Sequence, residues 1–298
     1  MLPLIVGAIA VGGTLCVLYG VVIEHSWYRL RRYRIDILPA GVQSSVTVLH
    51  LSDLHFIRRD AKKARFLERL PAADVTVVTG DFLADPGAVE TVVAALRPVR
   101  GRLASWFVLG SNDYFAPQAL NYFAYFRKSR MHRRAQPGRA SELVAQLTGD
   151  GWEDLTNVRC ERSMDGIAIE LLGLDDAHIR WHDLRVAPRR RPDRFGFAVM
   201  HSPDSAPETA ALGYDLMLAG HTHGGQVRLP GLGALVTNSS MPRRLVSGLI
   251  RMGSSVLHTS PGLGTSRFAP FRFSCRPEAT LLELRARDAT DDPARSIH

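Results

Sequence analysis

Asp53-Leu54-His55, Gly80-Asp81, Gly110-Ser111-Asn112-Asp113 and Gly220-His221-Thr222-His223 are the clusters in this sequence that could do chemistry, and His201 adds a further imidazole. Carboxylates offset the charge of divalent cations, neutral imidazoles suit borderline ions, and one shared oxygen can join two metals. Together the residues read as a two-metal site for phosphate ester chemistry. A lone Asp after a strand is more often a helix cap than a ligand, so the combination carries the reading rather than any single residue.

The elements that must position these groups follow from the hydrophobic pattern. Val46–Leu51 is a short apolar run ending in Ser52-Asp53, and Val75–Thr79 ends in Gly80-Asp81. Residues 104–109 end at Gly110, Phe195–Met200 at His201, and 214–219 at Gly220-His221. Strands that each stop at a glycine or a ligand-type residue predict a sheet whose carboxyl-end loops converge on one pocket. On an extended segment the side chains of a D-x-H or H-x-H triplet share a face. Helical patterns at 61–70, 88–96 and 141–147 alternate with the strands and give an α/β class. His50 sits inside a strand and reads as a hydrogen-bonded core histidine. Asp175 and Asp176, after the strand Ile167–Leu174, read as turn formers.

These residues resemble the calcineurin-like metallophosphoesterases, and more closely their bacterial membrane-associated branch. The resemblance extends, in order, through His201-Ser202-Pro203-Asp204, the run from Asp215 to Gln226, the stretch from Ser260 to Ser266, and Arg276-Pro277-Glu278. It implies two facing mixed β-sheets flanked by helices, a four-layer αββα sandwich. It also implies that Asp53, His55 and His223 hold one divalent metal, that His201 and His221 help hold the other, and that Asp81 bridges them. The ions would be Mn, Fe or Zn.

One motif departs from the family. Where Gly-Asn-His-Asp would supply an Asn ligand and a His acid, this chain has Gly110-Ser111-Asn112-Asp113. Ungapped, Ser111 takes the ligand position and Asn112 the acid position; a one-residue slip instead brings the Asn112 amide to the metal, the reading favoured here because a neutral hydroxyl is the poorer ligand. The histidine is absent either way, and losing a general acid costs about 10²- to 10⁴-fold in rate. Either another donor serves, with Asp113 and His178 as candidates, or the leaving group needs none.

Composition bounds the rest. With 298 residues and 46% hydrophobic content, the chain can bury one large core. The expected division is a transmembrane anchor at 1–24, a basic juxtamembrane linker at 25–45, a catalytic domain at 46–286 and a disordered tail at 287–298. Residues 2–23 carry no charge, and at about 1.5 Å per residue they reach about 33 Å, enough for a hydrocarbon core of about 30 Å. Arg29, Arg31, Arg32 and Arg34 follow the span, which predicts a single-pass protein of the cell membrane with its catalytic domain in the cytoplasm. Cys16, Cys160 and Cys275 form no C-x-x-C pair, consistent with a reducing compartment.

The net charge of +8 calls for an anionic partner. Beyond the juxtamembrane arginines, basic residues gather between Arg127 and Arg139, after the aromatics Tyr122, Phe123, Tyr125 and Phe126, and at Arg189, Arg190 and Arg191. The first of these reads equally as a lid or lipid-facing strip and as a solvated insertion; the second reads as a solvated loop. The leading expectation is a membrane-anchored dimetal phosphoesterase. It would cleave a phosphodiester or pyrophosphate bond of an anionic, phosphate-containing substrate, the lipid-linked case included, by attack of a metal-bound hydroxide. A catalytically weakened metal-binding membrane scaffold and a membrane-held nucleic acid phosphodiesterase are the alternatives, the latter disfavoured by the absence of a nucleic-acid motif.

Overall fold

The computed structural model describes residues 1–117, 136–187, 190–229, 231–265 and 268–287. The aromatic and basic stretch expected as a lid, from Tyr122 through Arg134, lies outside the described residues, as do Arg189 and positions 288–298 of the tail.

The chain opens with α1 (Leu2–Leu18), which continues helically to Ser26. One six-stranded sheet has the order β1-β14-β2-β3-β4-β5, with β1 (Arg29–Leu38), β2 (Val46–Leu51), β3 (Val75–Thr79), β4 (Ala104–Val108), β5 (Glu153–Asp154) and β14 (Glu278–Ala286). The other is ordered β12-β13-β9-β8-β7-β6, with β6 (Val158–Met164), β7 (Ile167–Leu174), β8 (Phe195–Met200), β9 (Leu216–Ala219), β12 (Gly248–Met252) and β13 (Ser255–Thr259). A short hairpin, β10 (Arg228–Leu229) and β11 (Gly233–Ala234), stands apart. Both large sheets are mixed: β2, β3, β4 and β5 run parallel with β14 antiparallel to β2, and β7, β8, β9 and β13 run parallel with antiparallel edges β6 and β12.

Alternation along the strands builds the layers. Val46 and Val48 of β2, Val75 and Val77 of β3, and Trp106 and Val108 of β4 meet Ile169, Phe197 and Leu218 of the other sheet in the central core. The intervening Leu49, Leu51, Val78 and Phe107 point the other way, onto α2 (Ala61–Glu68), α3 (Val89–Leu96) and α5 (Ala140–Gly149). The short α4 (Ser111–Tyr114) precedes α5, and the outer face of the second sheet packs against α6 (Ala206–Ala211). Because side chains of a strand alternate faces, each strand feeds two cores at once, giving the αββα sandwich.

The segment expected as a linker is corrected: within 25–45, Arg29–Leu38 is an edge strand, paired in parallel with β14 from Arg29↔Glu278 onward. This strand joins the first sheet ahead of residue 46. Three of the juxtamembrane arginines are paired within the domain, Arg29 with Glu278 (2.7 Å), Arg31 more loosely with Glu278 (3.6 Å) and Arg34 with Glu283 (3.0 Å). Charged side chains on an edge strand discourage pairing with other chains. Likewise Arg287 is held at the start of the expected tail, its N–H donating to the Leu38 carbonyl.

Candidate metal centre

Strand ends bring the site together. Asp53, His55, Asp81, His221 and His223 all adopt positive φ, between 43° and 67°. Non-glycine residues rarely adopt this conformation, and such strain concentrates where side chains must converge. Gly80 (φ 81°) has no room for a side chain, since a Cβ there would lie 2.7 Å from Gly110 N and from His201 Nδ1. The tight β3 turn thus lets three loops close on one point.

Asp81 occupies the centre. Its Oδ2 lies 3.6 Å from His55 Nε2, and its Oδ1 lies 3.6 Å from His201 Nε2. Asp53 Oδ1 is 3.7 Å from His223 Nε2, and the Nε2 atoms of His55 and His223 face each other at 3.3 Å. Asp53, His55 and His223 offer one close set of ligand atoms; Asp53, Asp81 and His201 offer a second. The His221 ring packs 5.2 Å from that of His201.

Buried polar atoms without hydrogen-bond partners, Asp53 Oδ1 and His201 Nε2, point into this space, and the Nδ1 atoms of His55 and His223 are likewise unpartnered. Such atoms are costly unless something satisfies them, and a cation does. Burial depresses the imidazoles of His55, His221 and His223, leaving them in the neutral form a metal needs. Burial would lower His201 also, but Asp81, Asp176 and Asp53 outweigh it and push that ring up to about 10. Burial tends to raise the Asp81 carboxyl, yet His201 and His55 prevail and hold it well below the usual carboxylate range. The pocket carries dry negative charge that draws positive charge in.

Within the departing motif, the Asn112 side chain reaches the centre. Its Nδ2 donates to Asp81 Oδ2 at 2.6 Å and its backbone N–H to Asp81 Oδ1 at 2.8 Å. Turned over, the same amide presents its oxygen at that place. Ser111 instead gives its backbone N–H to Asp176 Oδ2 at 3.1 Å. Asp113, expected as a catalytic proton donor, is bonded to the backbone behind Asp81. Its oxygens accept the N–H groups of Gly110, Asp81, Phe82 and Leu83, so it clamps the two loops together, and its lone pairs are consumed there. His178 is half-buried, with its ring 4.5 Å from the His221 ring.

Some contributors escape a sequence reading. Asp176 does cap a turn, accepting the His178 N–H at 2.7 Å, but its Oδ2 also lies 4.0 Å from His201 Nε2. Lys63 is buried, and its ammonium donates to the carbonyls of Leu54 and His55 beside the first loop. Arg272, fully buried, donates to the carbonyls of Pro261, Gly262, Gly264 and Cys275. Long cationic residues are normally exposed, and nothing local marks these exceptions. A chain of polar groups also runs from Asp53 Oδ2 to Ser52 Oγ, Thr79 Oγ1, His50 Nε2, and from His50 Nδ1 to His258 Nδ1. His50 is thus a bonded core histidine, as its strand position suggested.

A family model described as calcineurin-like phosphoesterase matches residues 46–225. The chain belongs to that family. As a calcineurin-like phosphoesterase it is a metal-dependent hydrolase of phosphoester bonds. It is 42% identical over 273 residues to phosphodiesterase YaeI of Escherichia coli K12, covering 88% of this chain and 90% of that protein. An uncharacterized metallophosphoesterase, YkuE of Bacillus subtilis, is 29% identical over 242 residues, 80% of this chain and 76% of its own length. A bovine transmembrane protein with a metallophosphoesterase domain is 29% identical over 262 residues, 84% of this chain and 55% of that protein. The family's dimetal centre fits the residues present, because the unpartnered Asp53 Oδ1 and His201 Nε2 and the facing His55 and His223 nitrogens are what paired cations would satisfy.

Proposed function

We propose that this chain is a membrane-anchored, dimetal-dependent phosphoesterase that hydrolyses a phosphodiester or pyrophosphate bond. The observation that carries the reading is Asp81, with one carboxylate oxygen turned to His55 and the other to His201, both at 3.6 Å. Asp53, His55 and His223 would hold one cation and His201, His221 and Asn112 the other, with Asp81 shared between the two sets. Asp176 joins the second set through the oxygen that faces His201. Ligands of this kind suit Mn, Fe and Zn. When bound, a pair of such cations supplies a nucleophile from water at neutral pH and offsets charge on the phosphate.

The chain's own groups do the rest. Asp113 fixes the Gly80 and Gly110 loops so that Asp81 keeps its orientation, and Lys63 and Arg272 hold the carbonyls behind the first and last loops. Because the family's histidine is absent, His178, whose ring packs 4.5 Å from the His221 ring, is taken as the candidate to protonate the leaving oxygen. The helix from Pro3 to Ser26, of mean hydropathy 2.2 and largely exposed, supports the anchor. The arginines that follow it favour a cytoplasmic catalytic domain. An anionic phosphate substrate, lipid-linked in the reading preferred here, matches both the net charge and the anchor.

The test is metal analysis of the full chain in detergent, coupled to turnover of phosphomonoesters, diesters and anhydrides. Two equivalents of metal and hydrolysis of diesters or anhydrides are expected, and Asp81→Asn should lose both bound metal and turnover. Full diesterase activity in Asp81→Asn overturns the mechanism. The missing family histidine also supports a second reading, a metal-holding scaffold, which predicts two equivalents of metal with no turnover of any substrate.

A further inference from the structure

The short hairpin β10–β11 and the chain after it carry apolar side chains that the described residues leave partly exposed. Leu229 is 37% exposed, Leu232 77%, Leu235 40% and Val236 47%, and Phe268 nearby in the chain's late loop is 37% exposed. Isolated exposed leucines are ordinary, but several on one short segment are not. The segment is also tied to the helix. The Gln226 side-chain amide donates to the carbonyls of Ala269 (2.8 Å) and Phe271 (2.7 Å), and Val227 bridges to Phe273. The same loop then packs on the helix: Arg272 N–H donates to the Gly20 carbonyl, Phe273 meets Tyr19 edge-on, and a Cβ on Gly20 would strike the Phe271 ring at 2.3 Å.

This contact fixes depth. Val22 and Ile23, one turn further along, are 64% and 51% exposed, while Gly20 and Glu24 are buried against the domain. For hydrocarbon to cover Val22 and Ile23, the bilayer surface must rise past the level of Gly20, which puts the loop around Phe271 at the headgroup boundary. Exposed Arg243 and Arg244 flank the hairpin, and Arg243 donates to the Leu235 carbonyl. Basic side chains beside an apolar edge suit an anionic membrane surface. The far side of the segment reaches the metal centre, where the Asn238 carbonyl lies 3.4 Å from His221 Nε2.

We propose that Leu229 and residues 231–236 form a second membrane contact that dips into the headgroup–acyl boundary beside the helix, so that the metal centre takes its phosphate from a substrate resident in the bilayer. This rests on the anchored phosphoesterase reading and names the class of substrate, an amphiphilic phosphate ester or anhydride.

The experiment uses the full chain in nanodiscs of phosphatidylcholine and phosphatidylglycerol. A nitroxide is placed at Leu232→Cys and, as reference, at Val158→Cys on the edge strand β6 of the second sheet, with the exposed Cys16 and the half-buried Cys160 changed to Ser. The 232 label should collide more with dissolved oxygen and less with a water-soluble nickel chelate than the 158 label. Equal exposure of both labels to the nickel reagent overturns the proposal. In the same discs, Leu232→Glu should slow hydrolysis of a phosphodiester carried on a lipid by about tenfold or more, the order set by one leucine's transfer to an apolar phase. Hydrolysis of soluble bis(4-nitrophenyl) phosphate should be unchanged. Equal slowing of both substrates also overturns the proposal, because the hairpin would then act on the site alone. Absence of turnover on every substrate would overturn the hydrolase reading, while the label depths still decide the membrane contact.

Discussion

At Asp53 the two carboxylate oxygens have different tasks. Oδ1 is left without a partner and faces His223, whereas Oδ2 accepts the Ser52 hydroxyl and the His221 N–H. Ser52 in turn accepts from Thr79, which meets His50, so the orientation of a candidate ligand depends on groups that touch no metal. Outer partners of this kind typically affect metal affinity by 10–100-fold. Thr79→Val, which keeps shape and removes the hydroxyl, should therefore weaken metal binding by about 10-fold or more in a chelator competition titration. Wild-type affinity in that variant would show that the chain of hydroxyls is incidental. Asp176→Asn should lower the affinity for the second equivalent of metal more than the first, whereas equal effects on both would make the residue a turn former only. Convergence of Asp53, His55, Asp81, His201, His221 and His223 could be read from the sequence because each lies within four residues of a strand end. Asp176 could not, since an Asp after a strand is most often a turn residue and here it is that as well. Asp113 shows the opposite case: its position in the motif suggested chemistry, and the structure adds a clamping task through four backbone N–H groups.

At the scale of elements, the site is a set of strand ends held at unusual dihedral angles by neighbours that leave no slack. Gly80 combines positive φ with a lack of space, since an added Cβ would lie 2.7 Å from both Gly110 N and His201 Nδ1. Gly80→Ala must either move the Gly110 loop and His201 or strain its own backbone, at about 1–3 kcal/mol for the conformation alone. A lower melting temperature together with lost metal binding is expected, and a variant melting like wild type would mean that the turn adapts. Strands β2, β3 and β8 were legible because they are continuous apolar runs, as strands buried on both faces must be. Strand β1 was not. Its Arg29, Arg31, Arg32 and Arg34 obscure the alternation of Leu30, Tyr33, Ile35 and Ile37, and its place is decided by a partner strand about 250 positions away, at Arg29↔Glu278. Only long-range pairing, which local pattern does not encode, distinguishes such an edge strand from a basic linker.

Across the whole molecule, the two sheets are joined not by apolar contacts alone but by a pair of buried histidines, His50 of β2 and His258 of β13, with Nδ1 atoms 2.8 Å apart. Burial drives both imidazoles toward the neutral form, and for His258, with Arg31 adding to the effect, the value falls to about 3. In the unfolded chain each would titrate near the ordinary value of about 6.5. Between these values the unfolded state binds more protons than the folded one, so stability is present in full above about 6.5 and is lost progressively as pH falls toward about 3. Each such group can contribute a slope of up to about 1.4 kcal/mol per pH unit. His258→Gln keeps a side chain able to bond His50 but cannot take a proton, so its stability should fall less steeply than that of wild type between pH 6 and pH 4, by roughly one proton's worth of slope. Denaturant unfolding of the metal-free protein across that range measures this directly. Parallel curves for the two proteins would mean that neither sheet feels the charge on His258, and the acid sensitivity of the fold would then have to originate elsewhere, in the carboxylates around the metal centre.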